Sequence, residues 1–126
     1  MKGLSEMVNI MSKKAVTVDD SKLEITDDGV TTVVLPSSIK QFLEFDQIVI
    51  VRIQPKCSSF INENIFGVSY SGKIVWQIAE RKYVFARSPY TNISKEGQLL
   101  KAHNWDGTDL VIDPQSGNVL KASYSR

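Results

Sequence analysis

Residues 64–78 read Asn64-Ile65-Phe66-Gly67-Val68-Ser69-Tyr70-Ser71-Gly72-Lys73-Ile74-Val75-Trp76-Gln77-Ile78. Two runs rich in β-branched and aromatic residues flank a short polar turn that ends in glycine, a pattern typical of a β-hairpin. Glycine reaches the positive φ of such a reversal at the least steric cost. The stretch therefore predicts two antiparallel strands, 64–69 and 73–78.

The same pattern recurs on both sides of this hairpin. Glycine ends four further polar turns between apolar runs: Asp27-Asp28-Gly29, Lys95-Glu96-Gly97, Asp106-Gly107 and Pro114-Gln115-Ser116-Gly117. Residues 68–75, 112–120 and the shorter stretch 94–100 form a weak internal repeat, each with a strand, a polar turn that ends in glycine, a polar residue and an apolar pair. It predicts an all-β fold with two successive four-stranded, blade-like antiparallel meanders, 39–78 and 90–124, and an added N-terminal hairpin, 22–35.

Two segments leave alternatives open. Residues 37–45 have apolar side chains at helical spacing after two serines, but they can also pair as a strand with residues 48–53. We favour the strand, because a helix here would be one of very few. Residues 1–14 are expected to form either a short amphipathic helix or a frayed arm.

Length and composition indicate one ordinary globular domain, residues 1–126. Apolar residues make up 42% and charged residues 23% of the chain, and the formal net charge is +1. This charge gives no overall attraction to nucleic acid or to an anionic membrane. Cys57 is the single cysteine, which excludes an intramolecular disulfide, and no apolar run approaches the ~20 residues of a membrane-spanning helix. We predict a cytoplasmic protein that does not bind membranes.

The sequence offers little catalytic chemistry. His103 is the only histidine in the chain. Cys57 as nucleophile and His103 as base could act together only if the fold brings them into contact, and we favour a structural role for both. Asp106, Asp109 and Asp113 lack the spacing of a calcium loop and are better explained as strand and turn residues. We predict no catalytic residues, no metal site and no cofactor.

Aromatic residues and local charge carry more information. Trp76 and Trp105 belong either to the core or to a stacking platform; we favour the core for both, although Trp105, beside a tight turn, lies nearer the surface. Residues 15–46 have a net charge of −5 and residues 81–126 a net charge of +3. We interpret this asymmetry either as ordinary solvated charge or as a dipolar surface with an acidic side.

The stretch Gly72-Lys73-Ile74-Val75-Trp76 resembles the end of a blade in the quinoprotein-type β-propeller repeat. Residues 113–120 are similar, but a lysine replaces the tryptophan. Two blades cannot close a propeller, which takes four to eight. The resemblance therefore implies the strand and turn chemistry of blades, and neither a closed ring nor a quinone cofactor.

Residues 45–120 also resemble small bacterial β proteins of the toxin-immunity type. The shared motifs are Asn64-Ile65-Phe66, Gly72 to Ile78, Tyr90-Thr91-Asn92-Ile93 and Asn104-Trp105-Asp106-Gly107. The resemblance implies a cytoplasmic protein that neutralises a cognate toxin domain by binding it and blocking its active site.

The sequence thus predicts a binding protein rather than an enzyme. A basic nuclease toxin would suit the acidic hairpin, and direct nucleic-acid binding is not expected under this hypothesis. The predicted partner-binding residues are Asp19, Asp20, Glu24, Asp27, Asp28, Tyr90 and Trp105. An exposed sheet edge is compatible with a homodimer. The alternative is a small-ligand or nucleic-acid binding β module without catalysis.

Overall fold

The computed structural model describes residues 14–56 and 61–124. Within these ranges the chain forms three antiparallel sheets and no helix. The first sheet contains β1 (Ala15–Asp19), β2 (Lys22–Thr26) and β3 (Val30–Val34). The second contains β4 (Ile39–Phe45), β5 (Ile48–Ile53), β6 (Ile65–Ser69) and β7 (Ile74–Gln77). The third contains β8 (Tyr90–Glu96), β9 (Leu99–Asn104), β10 (Thr108–Ile112) and β11 (Val119–Tyr124).

The predicted all-β fold is confirmed, with two four-stranded meanders and an additional N-terminal unit. Residues 39–45 form a strand that pairs with β5, so the strand alternative for residues 37–45 is correct. The N-terminal unit has a third strand that was not predicted, β1, whose Val16 and Val18 turn toward the core. The expected helix or arm over residues 1–14 lies outside the described residues, except for Lys14.

The second sheet is covered on both faces, which explains the apolar run of β5. One core lies between the first and second sheets and includes Leu23, Ile25, Val33, Val49, Val51 and Ile53. The other lies between the second and third sheets and includes Ile48, Ile50, Ile93, Leu100, Leu110 and Ile112. Successive side chains of a strand point to opposite faces, so β5 must be apolar on both.

Polar side chains join the second sheet to the third. Asn64 is fully buried; its Nδ2 donates to the carbonyl oxygens of Ile53 and Tyr90, both at 2.9 Å, and its Oδ1 accepts from the Tyr90 amide at 2.8 Å. The Gln41 Oε1 accepts from the Ile93 amide at 3.0 Å. These side chains pair backbone groups that would otherwise be buried without partners.

Trp76 also links the two meanders. Its indole ring packs against the core between the second and third sheets, and its Nε1 donates to the Pro114 carbonyl oxygen at 2.9 Å. The ring lies directly over the backbone of Gly67 and Gly117, where an added Cβ would come within 2.2 Å and 2.5 Å of ring atoms. The favoured core position of Trp76 is confirmed.

Candidate binding site

Antiparallel strands place the turns of this molecule at two opposite ends. We call the end that carries the β1–β2 turn and the segment after β5 the Trp105 end. There the Ser38 hydroxyl donates to the Asp20 carboxylate, and the Gln54 amide donates to the Ser38 carbonyl oxygen at 2.8 Å. Gln54 in turn lines a cavity together with Trp105.

The cavity at the Trp105 end has a volume of about 410 Å³. Segments from the second and third sheets form its wall, whose residues are Arg52, Gln54, Pro55, Pro89, Tyr90, Thr91 and Trp105. Trp105 is 64% exposed, so the core position favoured for it is wrong, whereas Tyr90 is 1% exposed and lies in the core at the base of the cavity. The structure therefore brings the two predicted aromatic residues together, but only Trp105 offers its side chain to a partner.

The neighbours of Trp105 in the chain hold it in this exposed position. Asn104 is fully buried; its Nδ2 donates to the Ser88 carbonyl oxygen at 2.7 Å, and its Oδ1 accepts from the Asp106 amide at 3.0 Å. The Trp105 amide donates to the Pro89 carbonyl oxygen at 2.9 Å. Because both flanking side chains are fixed inside, the indole between them is directed outward.

Asp106 anchors the long loop between β7 and β8. Its carboxylate, whose side chain is 0% exposed, accepts two hydrogen bonds from Arg81 Nη2, at 3.1 and 3.2 Å. It also accepts from the amides of Val84 at 3.2 Å and Thr108 at 3.0 Å. Burial by itself would raise the pKa of Asp106, but the hydrogen bonds from Thr108 and Val84 and the charge of Arg81 lower it below its ordinary value. Sequence reasoning identified the Asp106-Gly107 turn but missed Arg81.

Arg52 is a charged residue of the cavity that sequence reasoning did not select. Its Nε donates to Gln41 Oε1 at 2.7 Å. Burial lowers the pKa of the Arg52 guanidinium, and no carboxylate of the described residues forms an ion pair with it. Its only signal in the sequence was that it interrupts an otherwise apolar strand.

The predicted acidic residues do not form one patch. Asp19 and Asp20 lie at the Trp105 end, whereas Asp27 and Asp28 lie in the β2–β3 turn at the opposite end, about 17 Å away along a five-residue strand. Glu24 lies between them on the exposed face of β2.

The opposite end, which we call the Tyr70 end, has acidic residues that were not predicted as contacts. The Tyr70 hydroxyl donates to Glu44 Oε1 at 3.2 Å. Burial raises the pKa of Tyr70 to about 12, and the negative charges of Glu44, Asp27 and Asp46 add to this effect. Asp27 therefore belongs to an acidic group around Tyr70.

The structure shows where most of the residues considered for catalysis or metal binding lie. His103 lies on β9, and its Nδ1 is 2.6 Å from Asp109 Oδ1 on the neighbouring β10. Asp113 Oδ1 accepts from the Gln115 amide at 3.0 Å, as expected for a turn residue. Cys57 lies outside the described residues. Across residues 14–56 and 61–124, no three His, Cys, Asp or Glu side chains are grouped as metal ligands, and none of the described residues forms a helix that could cross a membrane.

Comparison with known proteins places the chain in a family. Residues 13–124 match the model of DUF7957, described as a domain of unknown function. The chain belongs to this family. No curated protein matches the sequence.

Two solved structures share the fold of this DUF7957 chain. The computationally designed protein Ika8 is 13% identical with a TM-score of 0.61, and BamB from Moraxella catarrhalis is 22% identical with a TM-score of 0.62. Each alignment covers 90% of this chain, and the chain spans about a third of each structure's length, 33% and 34%. These likenesses concern the fold alone, and they support the blade-like character of the meanders.

Proposed function

We propose that this DUF7957 chain is a cytoplasmic binding protein without catalysis of its own, and that it neutralises a bacterial toxin domain by covering the active site of that domain. The observation that carries the proposal is Trp105, an exposed indole held between two buried polar residues at the mouth of a cavity. Tryptophan and arginine are the residues that most often dominate the binding energy of protein interfaces, and Arg52 lines the same cavity. The resemblance of the motifs around Trp105 to immunity proteins supports a toxin as the partner.

The Trp105→Ala variant tests the proposal. Removal of an anchoring tryptophan typically weakens an interface by ~2–4 kcal/mol, so we expect Kd for the partner to rise by about 30-fold to 1,000-fold. The partner is first captured from lysate of the native cells with the tagged chain, and binding is then measured by calorimetry. The captured protein must also lose its toxic activity when the chain is added.

Phe85→Ala is the matched control for this experiment. Phe85 is also an exposed aromatic residue, at 54%, but it does not line the cavity. We expect partner binding of Phe85→Ala to equal that of the unmodified chain. Equal weakening by both variants would show that exposed apolar area, and not the Trp105 site, governs binding; an unchanged Kd for Trp105→Ala would exclude the site.

Charge at the Tyr70 end makes a separate prediction. The double variant Asp27→Asn/Asp28→Asn removes two negative charges, and asparagine tolerates the positive φ of 57° found at Asp28. For a basic partner we expect a several-fold slower association at low salt and a weaker dependence of the rate on salt. Stopped-flow measurement with Asp19→Asn as the comparison at the Trp105 end shows which end faces the partner. Unchanged rates for both variants would exclude steering by these acidic residues.

One observation favours the alternative, a nucleic-acid binding module. A guanidinium and an exposed indole on one cavity suit the phosphate and the base of a single strand. This function predicts saturable, strongly salt-dependent binding of a single-stranded oligonucleotide in the absence of any protein partner, and loss of that binding in Trp105→Ala.

A further inference from the structure

Arg52 and Arg81 are both partly buried, yet their surroundings differ. The Arg81 guanidinium donates to the Asp106 carboxylate at 3.1 Å, which neutralises its charge. Arg52 has no such carboxylate among the described residues, and its only hydrogen bond within them goes to the neutral Gln41. A partly desolvated cation without a counter-charge is unfavourable by itself and gains from an incoming anion.

The guanidinium of Arg52 is already oriented for such an anion. Gln41 Oε1 accepts from Arg52 Nε at 2.7 Å, and the same oxygen accepts from the Ile93 amide of β8 at 3.0 Å. Gln41 Nε2 donates to Asn92 Oδ1 at 2.9 Å, which holds the amide in place. With Nε committed to Gln41, the two terminal amino groups of Arg52 are left to bind a planar anion in the bidentate manner.

The cavity wall determines what kind of anion fits. Among the described residues, Arg52 is the only cationic side chain that lines the cavity, so the site matches one negative charge rather than the two of a phosphate monoester. Pro55, Pro89 and Trp105 supply apolar surface for the group that carries the charge. A volume of about 410 Å³ accommodates one side chain or the end of a peptide.

We propose that this cavity binds a carboxylate of the partner polypeptide, from an acidic side chain or from the C-terminus, with Arg52 holding the carboxylate and Trp105 covering its apolar stem. The inference rests on the proposed function, because it names the partner group that the Trp105 site receives.

The test uses the full chain labelled with ¹⁵N and two small probes, N-acetyl-L-phenylalanine and its uncharged amide. We expect the acid to shift the Trp105 indole and Arg52 Nε–H resonances saturably. Hydrogen bonds to a charged group are worth enough that the amide should bind about ten-fold to a hundred-fold more weakly. The indole of Trp76, which is bound to the Pro114 carbonyl oxygen, is the internal reference and should not shift.

Variants and a third probe complete the experiment. Arg52→Gln should lose the preference for the acid over the amide, and Arg52→Lys should retain part of it. Thermal unfolding checks that both variants are folded. If either variant fails to fold, the comparison of acid and amide on the unmodified chain still tests the proposal. Equal binding of acid and amide, tighter binding of phenyl phosphate than of the acid, or no shift with the acid would each overturn the carboxylate assignment. N-acetylglutamate α-amide, whose one carboxylate is that of the side chain, and an N-acetylated tripeptide with a free C-terminus, each compared with its fully amidated form, then distinguish a side-chain carboxylate from a terminal one. Failure of this test leaves the proposed function intact, because capture of a partner and its loss in Trp105→Ala are measured independently.

Discussion

The Asp106→Ala variant is expected to unfold with a free energy about 3 to 5 kcal/mol below that of the unmodified chain. The buried carboxylate of Asp106 accepts hydrogen bonds from Arg81 and from two backbone amides. Alanine leaves the Arg81 guanidinium without its counter-charge and both amides without an acceptor. A loss of this size is a large fraction of the stability of a small domain. Urea unfolding at neutral pH measures it.

Asp109→Ala is the matched control, since it removes another aspartate of the third sheet, one whose Oδ1 lies 2.6 Å from His103 Nδ1. The His103–Asp109 pair is more exposed, with side chains 41% and 19% accessible. Exposed pairs contribute about 0–1 kcal/mol, so we expect a correspondingly small loss. If the two variants lost similar amounts, burial of the Asp106 pair would not be the cause.

The same carboxylate contributes to the fall in the free energy of unfolding at acidic pH. The pKa of Asp106 in the folded chain lies below its ordinary value of 3.8. The stabilisation is therefore complete at pH values above that ordinary value and is lost as the pH falls through the lower, folded-state pKa. In Asp106→Ala this part of the pH dependence should disappear, leaving a shallower decline of unfolding free energy below pH 3.8.

The Gly117→Ala variant is expected to lose about 2 to 4 kcal/mol, the sum of backbone strain and a steric clash. Gly117 has a φ of 79°, where an alanine is strained, and the new Cβ would lie 2.5 Å from Trp76 Cδ2. The indole cannot withdraw easily, because its Nε1 is bonded to the Pro114 carbonyl oxygen and the ring also lies against the backbone of Gly67. Thermal or urea unfolding measures the loss.

Gly97→Ala separates the two contributions. Gly97 has a similar φ of 62°, but nothing lies within 4 Å of its added Cβ. It should therefore lose only the backbone part, about 1–2 kcal/mol. When Trp76→Ala is also present, Gly117→Ala should lower the free energy of unfolding no more than Gly97→Ala does, because the ring that the new Cβ would meet is absent. Equal losses for the two glycines in the unmodified chain would contradict the role of Trp76 between the meanders.

Most of the strands and their local pairing could be predicted from short stretches of the sequence. Glycine turns between β-branched runs depend on residues within a few positions of one another, so the hairpins around Gly29, Gly72 and Gly97 are readable directly. The apolar run of β5 also predicts burial on both faces of the sheet, because it too is a pattern within a short stretch of sequence. β1 was missed, because Val16 and Val18 form a short alternation without a turn signal of the Asp-Gly kind.

Which residues form the site depends on how the sheets pack, and short stretches of sequence do not contain that information. Arg52 and Trp105 are far apart in the chain and meet because the second and third sheets pack face to face. Tyr90 sits at the bulge where β8 begins to pair with β9, and this register sends its side chain inward. Asp20 and Asp27 are seven positions apart, yet a strand between two reversals carries them to opposite ends of the sheet. Local patterns specify strands and turns, whereas the meeting of distant side chains depends on sheet packing, register and strand direction, which no short stretch of sequence contains.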